Sequence, residues 1–206
     1  MEGEMERINL FTLGNSQVGK TCFILRYTKN TFNSTYISTI GIDFLTKNAF
    51  LSNGEQYQIL FYDTAGQERY TSIAFNLMKG AEGILLMYDV TQRKTFESIT
   101  YWVKSIKEAK GENFPVVLIG NKCDLKEERK ISREEGESEA QKNGFLFFET
   151  SNKDGTNVEE ATIALISKVV ELRKKQNTQN EETDQNSKQS SKLESKKIKR
   201  EKHSCC

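Results

Sequence analysis

Eight residues near the N-terminus carry the first recognisable chemistry. Gly14-Asn15-Ser16-Gln17-Val18-Gly19-Lys20-Thr21 fits the pattern G-x-x-x-x-G-K-[ST], and it follows an apolar run and opens a helical one. The glycines let backbone N–H groups turn inward around a polyphosphate, and the positive end of the following helix adds to them. In this pattern Lys20 reaches the β- and γ-phosphates and the Thr21 hydroxyl ligates Mg²⁺. An ordinary Gly-bounded loop with its Lys in solvent is the competing reading. It loses because the strand–loop–helix context that the pattern requires is also present. The loop specifies a nucleotide and leaves the base open.

The base is addressed further along. Asn121-Lys122-Cys123-Asp124 follows the apolar run Val116–Ile119. The Asp124 carboxylate can accept two hydrogen bonds from a pair of N–H groups such as guanine presents; adenine has no such pair. A site built on hydrogen bonds to one polar edge rejects bases that lack it, because its own groups would be left unpaired. Thr150-Ser151-Asn152-Lys153 follows the next apolar run and would close over the base from the other side. Each tetrapeptide alone reads equally well as a polar loop. In this order after the phosphate loop, at the carboxyl ends of successive strands, the two favour guanine.

Scarce residues remove other chemistries. The single His is His203, so His-based triads and His-ligated zinc have no support. Cys22, Cys123 and the pair Cys205-Cys206 fit neither a disulfide scaffold nor a zinc knuckle, which favours a reducing, cytosolic setting. The acidic start, Met1 to Glu6, lacks the layout of a signal peptide, and no Gly follows Met1 for myristoylation. The apolar runs Ile84–Tyr88 and Val116–Ile119 are far too short to cross a bilayer.

These residues need a scaffold. Six runs read as strands: Ile8–Leu13, Ile42–Leu51, Tyr57–Tyr62, Ile84–Tyr88, Val116–Ile119 and Leu146–Glu149. Asn53-Gly54 is a two-residue hairpin signal, so the second and third strands should run antiparallel. Pro115 stands just before a strand, where its missing N–H does little harm. Phe96, Ile99, Val103 and Ile106 recur at helical spacing. Ser132–Glu135 and Asn157–Glu160 read as capping boxes, and Val158, Ala161, Leu165, Val169 and Leu172 line one face of a last helix. Strands alternating with helices predict an α/β fold, a mainly parallel sheet between helical layers. After Lys175 the chain is rich in Gln, Asn, Ser, Lys and Glu, and Gln176–Cys206 reads as a disordered tail.

Together these residues resemble the small GTPases of the Ras superfamily, and within it the Rab family, from about Arg7 to Lys175 and again at the terminal cysteines. Ile40-Gly41-Ile42-Asp43-Phe44 and Asp63-Thr64-Ala65-Gly66-Gln67-Glu68-Arg69 carry the resemblance, and Phe32–Phe44 is similar to the exocytic branch. It implies a three-layer P-loop G-domain over residues 1–175: a six-stranded, mostly parallel sheet with one antiparallel edge strand. It also implies a switch that hydrolyses GTP to GDP and phosphate and regulates vesicle transport. Nucleotide would be held by Asn15, Ser16, Gln17, Val18, Gly19, Lys20, Thr21, Cys22, Phe32, Tyr36, Thr39, Gly66, Asn121, Lys122, Asp124, Ser151, Asn152 and Lys153. Mg²⁺ would be held by Thr21, Thr39 and, through water, Asp63. Ser34–Phe44 and Gly66–Met78 would be the two switches, with Thr39 bound only while a γ-phosphate is present. Gln67 would orient the attacking water, and a partner would supply the charge that no arginine here provides.

This chain departs from the family pattern at four places. Gln17 stands where a small residue is usual, so crowding of the phosphates is expected. Tyr62 replaces a Trp, Leu77-Met78 replace an aromatic pair, and Asn152 replaces an Ala. Phe44, Tyr62 and Leu77 then form the switch surface, and a shifted set of effectors is expected.

The ending completes the reading. The chain has 206 residues and a formal net charge of +1, which hides +5 over residues 173–206 against −4 over residues 1–172. Lys196–Lys202 is basic and leads to Cys205-Cys206, which is not a C-a-a-X box. The resemblance implies geranylgeranyl groups on both cysteines, and two chains with a basic stretch suffice for stable anchoring. It implies a monomer on the cytoplasmic face of an intracellular or plasma membrane, with a cytosolic pool. The implied partners are an exchange factor, a GTPase-activating protein, a GDP-dissociation inhibitor, a prenylation escort protein and effectors, with no nucleic acid. A hydrolysis-deficient GTP-binding scaffold, an ATP-dependent phosphotransferase and a basic nucleic-acid binder are the competing readings, weakened by Gln67, Asp124 and the acidic folded part respectively.

Overall fold

The structure, a computed structural model, describes residues 5–33, 42–64 and 78–178. Its strands are β1 (Arg7–Leu13), β2 (Ile42–Phe50), β3 (Gln56–Thr64), β4 (Gly83–Asp89), β5 (Val116–Asn121) and β6 (Leu146–Thr150). They form one sheet in the order β2-β3-β1-β4-β5-β6. Only β2 is antiparallel to its neighbour; all other pairs are parallel, as the alternation of strands and helices predicts. Every residue of β4 and β5 is buried, which explains the apolar runs Ile84–Tyr88 and Val116–Ile119 within them: both faces of the sheet are covered.

The helices are α1 (Lys20–Lys29), α2 (Arg93–Glu97), α3 (Ile99–Lys110), α4 (Arg133–Asn143) and α5, which covers residues 158–178. One face of the sheet offers Phe11, Leu13, Ile84, Leu86, Tyr88, Val116 and Leu118, packed in one core with Ile99, Trp102, Val103 and Ile106 of α3 and Ala140 of α4. The other face meets α1, where the Tyr27 and Phe61 rings lie 5.4 Å apart, and α5. A Cβ on Gly83 would come within 3.0 Å of Leu165, so the missing side chain admits the helix.

Local details differ from expectation in instructive ways. The hairpin turns on three residues, Ser52-Asn53-Gly54, rather than two. Gly54 N–H donates to Leu51 O and Leu51 N–H to Glu55 O, and only Gly54 is left-handed, at φ 85°. Asn53 accepts from Glu55 N–H through Oδ1, which favours a type I turn followed by a left-handed residue. The Phe96–Ile106 periodicity is split at Ser98, whose hydroxyl donates to Lys94 O. The Ser132 capping box is complete in both directions. Asn157 sits at φ 55° and donates through Nδ2 to Glu149 O, tying the start of α5 to β6.

The chain divides into two compact units, Met1–Val169 and Val170–Cys206. The described part of the second, residues 170–178, is helical and carries a Lys175–Glu171 ion pair at 2.6 Å. Helix therefore runs three residues into the segment expected to begin the tail. Among the described residues no helix is long and apolar enough to cross a membrane.

Candidate functional site

Because β1, β3, β4, β5 and β6 are parallel, their carboxyl ends share one edge, and the candidate residues gather there. The phosphate loop leaves β1 at Gly14, whose φ of 133° and closeness to Met87 O (2.2 Å from an added Cβ) exclude any side chain. Gly19, at φ 100°, precedes Lys20, the first residue of α1. Lys20 is 5% exposed and donates through Nζ to the carbonyls of Gly14 (2.9 Å) and Asn15 (2.8 Å). Burial pulls its pKa down to about 8, with Asp63 opposing the shift.

The rest of the loop is fixed from several sides. Asn15 donates to Ser98 Oγ at 2.9 Å and accepts from Trp102 Nε1 at 2.9 Å, so α3 holds its side chain. Ser16 and Gln17 are exposed. Gln17 adopts φ 65°, a conformation that a glycine would take without strain. Val18 is fully buried and offers its carbonyl to Asn121 Nδ2 at 2.7 Å. Cys22 lies half-buried on α1; burial and Asp63 raise its thiol pKa, while Lys122 opposes them.

Asp63, near the end of β3, is 1% exposed, and neither carboxylate oxygen has a hydrogen-bond partner. Burial raises its pKa; the Thr21 hydroxyl and Lys20 oppose the shift and Asp43 adds to it. A buried, orphaned carboxylate beside the Thr21 hydroxyl suits a hard cation that takes oxygen ligands, so these two residues fit Mg²⁺.

The base-side loops meet the phosphate loop directly. Asn121, 1% exposed, donates to Val18 O and accepts from Thr150 Oγ1 at 3.1 Å, joining β5, β6 and the phosphate loop through one amide. Lys122, at φ 68°, pairs with Asp89 at 2.6 Å; Asp89 in turn accepts from the Thr91 N–H and hydroxyl. Asp124 is half-buried beyond it. Ser151 is fully buried, and Asn152, 4% exposed, donates to Gly19 O at 2.9 Å. Lys153 is exposed, and its carbonyl accepts from Arg26.

The sequence motifs do not announce Asp89, Arg26, Ser98 or Trp102. Asp89-Val90-Thr91 at a strand end was the one available signal, an acidic side chain followed by a hydroxyl that turns back on it. Phe32 is 41% exposed. Phe44 is also exposed and meets Tyr62 edge-on at 5.0 Å; Tyr62 stacks on Phe11 at 4.9 Å. Met78 is buried. Tyr36, Thr39, Gly66, Gln67, Arg69, Leu77, Cys205 and Cys206 lie outside the described residues.

Comparison with known proteins agrees with this arrangement. A model of the Ras family matches residues 9–171. Ras-related protein Rab-13 of Rattus norvegicus is 47% identical over 156 residues, 76% of each chain. Ras-related protein Rab-8B of Homo sapiens is 41% identical over 172 residues, 83% of each chain. Ras-related protein Rab-3C of Bos taurus is 44% identical over 157 residues, 76% of this chain and 69% of its own. A match that begins in β1 and ends in α5 takes in every loop of the site, and the chain belongs to the Ras family of small GTPases and, within it, to the Rab proteins of exocytic type.

Proposed function

We propose that this Rab, a GTP hydrolase that switches between GTP and GDP forms and regulates vesicle transport, does so with the residues assembled at the carboxyl edge of the sheet. What supports the assignment is the Asn121 amide, which ties the base-side loops to the phosphate loop. Asp124 accepts the guanine N–H pair, and the N–H of Asn152 with Asn121 completes recognition of the base. Ser151 and Lys153 shape the same pocket. Phe32 packs on the base and Tyr36 covers the phosphates. Lys20 and the N–H groups from Asn15 to Cys22 bind phosphate oxygens.

Thr21, Thr39 and, through water, Asp63 would hold Mg²⁺, which would supply charge to the phosphate oxygens when bound. Gly66 senses the γ-phosphate and Gln67 positions the attacking water. The reaction proceeds by positioning and charge stabilisation, with no covalent intermediate. A scaffold that has lost hydrolysis is not favoured by membership of a family of GTP hydrolases.

Rabs act through regulators and effectors. For this chain we assign an exchange factor, an activating protein that completes the charge at the γ-phosphate, a GDP-dissociation inhibitor and a prenylation escort. Residues 1–175 act as the switch, and 176–206 as a basic tether with prenyl groups on Cys205 and Cys206. The protein works as a monomer at the cytoplasmic face of a membrane, with a cytosolic pool. Phe44, Tyr62 and Leu77 present the partner surface, where Leu77 and Met78 in place of aromatics shift the effector set.

Thermal melting with GDP or ADP tests the base assignment: GDP should raise the midpoint strongly and ADP should not. Equal stabilisation by both would overturn it. Gln67→Leu should slow single-turnover GTP hydrolysis about tenfold or more; an unchanged rate removes Gln67 from the mechanism.

A further inference from the structure

Asn152 occupies the position where the family pattern has Ala, and its extra atoms are used. Nδ2 donates to Gly19 O at 2.9 Å, across 133 residues of chain. Two base-side amides therefore reach two consecutive carbonyls of the phosphate loop: Asn121 on Val18 and Asn152 on Gly19. No described peptide is cis, so each carbonyl points opposite the N–H of the next residue. Holding the Val18 carbonyl aims the Gly19 N–H the other way, and the Gly19 carbonyl, which accepts from the Phe23 N–H at 2.8 Å as well as from Asn152, likewise aims the Lys20 N–H. These are backbone donors of the phosphate cradle.

The same loop is held again farther along α1. Arg26 donates through Nε to Asn152 O at 2.7 Å and through Nη2 to Lys153 O at 2.6 Å. Its remaining nitrogen, Nη1, donates to Asn30 Oδ1 at 3.0 Å, at the end of the helix. Residues 152–153 are thus bound to the start of α1 by a side-chain amide and to its last turns by a guanidinium. An Ala at 152 would leave the Arg26 contacts to its carbonyl in place but abolish the contact to Gly19.

We propose that Asn152 is a positioning residue that, braced by Arg26, locks the base-side loop to the phosphate loop and prolongs the lifetime of bound nucleotide. The proposal rests on the nucleotide reading above and adds one contact of this chain to it: the Asn152–Gly19 bond lengthens nucleotide residence beyond what the Asn121–Val18 contact alone gives. Opening must disengage Asn152 from Gly19 before either loop can move alone.

The test is release of a fluorescent GDP analogue from the full chain in the presence of Mg²⁺, chased with excess GDP. Asn152→Ala removes the donor and the volume. Asn152→Leu removes the donor and keeps the shape without adding charge. Both should release roughly fivefold to tenfold faster than the unmodified chain, the effect of one ordinary hydrogen bond. Arg26→Ala should also accelerate release, and the double variant Arg26→Ala with Asn152→Ala should fall short of the product of the single effects. Unaltered release in Asn152→Ala overturns the proposal, and so does unaltered release in Asn152→Leu, which would show space-filling alone. Failure of the underlying reading is separate: the unmodified chain would then show no preference for GDP over ADP.

Discussion

At the scale of single residues, the most consequential group is the Asp63 carboxylate. It is buried with both oxygens unpartnered, a costly state that a bound cation relieves. Asp63→Asn should therefore speed GDP release about tenfold or more in Mg²⁺, and chelation with EDTA should add little; the unmodified chain should accelerate sharply on chelation. A variant that still responds fully to EDTA would place the metal elsewhere. Asp63 and the phosphate loop were legible because their chemistry is written in short, contiguous runs. Asp89 and Arg26 were not, because their partners lie far off in sequence: Lys122 for the first, and for the second a carbonyl 126 residues away. Backbone acceptors leave no mark on residue type, so no pattern could have pointed to Arg26.

At the scale of elements, all six strands could be read from the sequence: in β4 and β5 burial on both faces demands apolar runs, whereas the mostly exposed β2 was marked by the Asn53-Gly54 turn signal that follows it. What escaped were the places where a side chain overrides periodicity: Asn53 lengthening the hairpin loop, and Ser98 dividing α2 from α3. The start of α4 was readable because a capping box is a local code, and it yields a pH prediction. Glu135 accepts from Arg93 and from the Ser132 N–H, and these hold its pKa at about 2, well below the ordinary 4.5. Between those values the native state has shed a proton that the unfolded chain still holds. The stabilisation is therefore complete above the ordinary value and drains away as pH falls through the native one. Thermal melting of Glu135→Gln beside the unmodified chain should show a gap near neutral pH that narrows steadily below about pH 4.5. A constant gap would mean that the carboxylate charge contributes nothing.

At the scale of the whole molecule, the neutral total conceals opposite charges on its two parts: −4 up to residue 172 and +5 beyond it. An acidic folded part gains little by touching an anionic bilayer, whereas a basic tail would gain by its charge, and the prenyl groups proposed for Cys205 and Cys206 would add to it. Removing Cys205 and Cys206 should leave a chain that binds GDP as before but stays in the supernatant when prenylated extracts are sedimented with anionic vesicles. Continued sedimentation would show that the basic tail alone is sufficient. The expectation of a separate tail rests on composition, since a Gln-, Ser- and Lys-rich sequence offers little apolar surface to bury.

The chain contains one tryptophan, Trp102, and its indole N–H is bonded to Asn15 inside the phosphate loop. The protein thus carries its own optical probe, wired to the place where phosphate arrives. Emission excited at the indole band should change when GDP is stripped and return when it is restored, with no dye attached. In Asn15→Ala the signal should become indifferent to nucleotide. Exchange kinetics of the unlabelled protein could then be followed by light it emits itself.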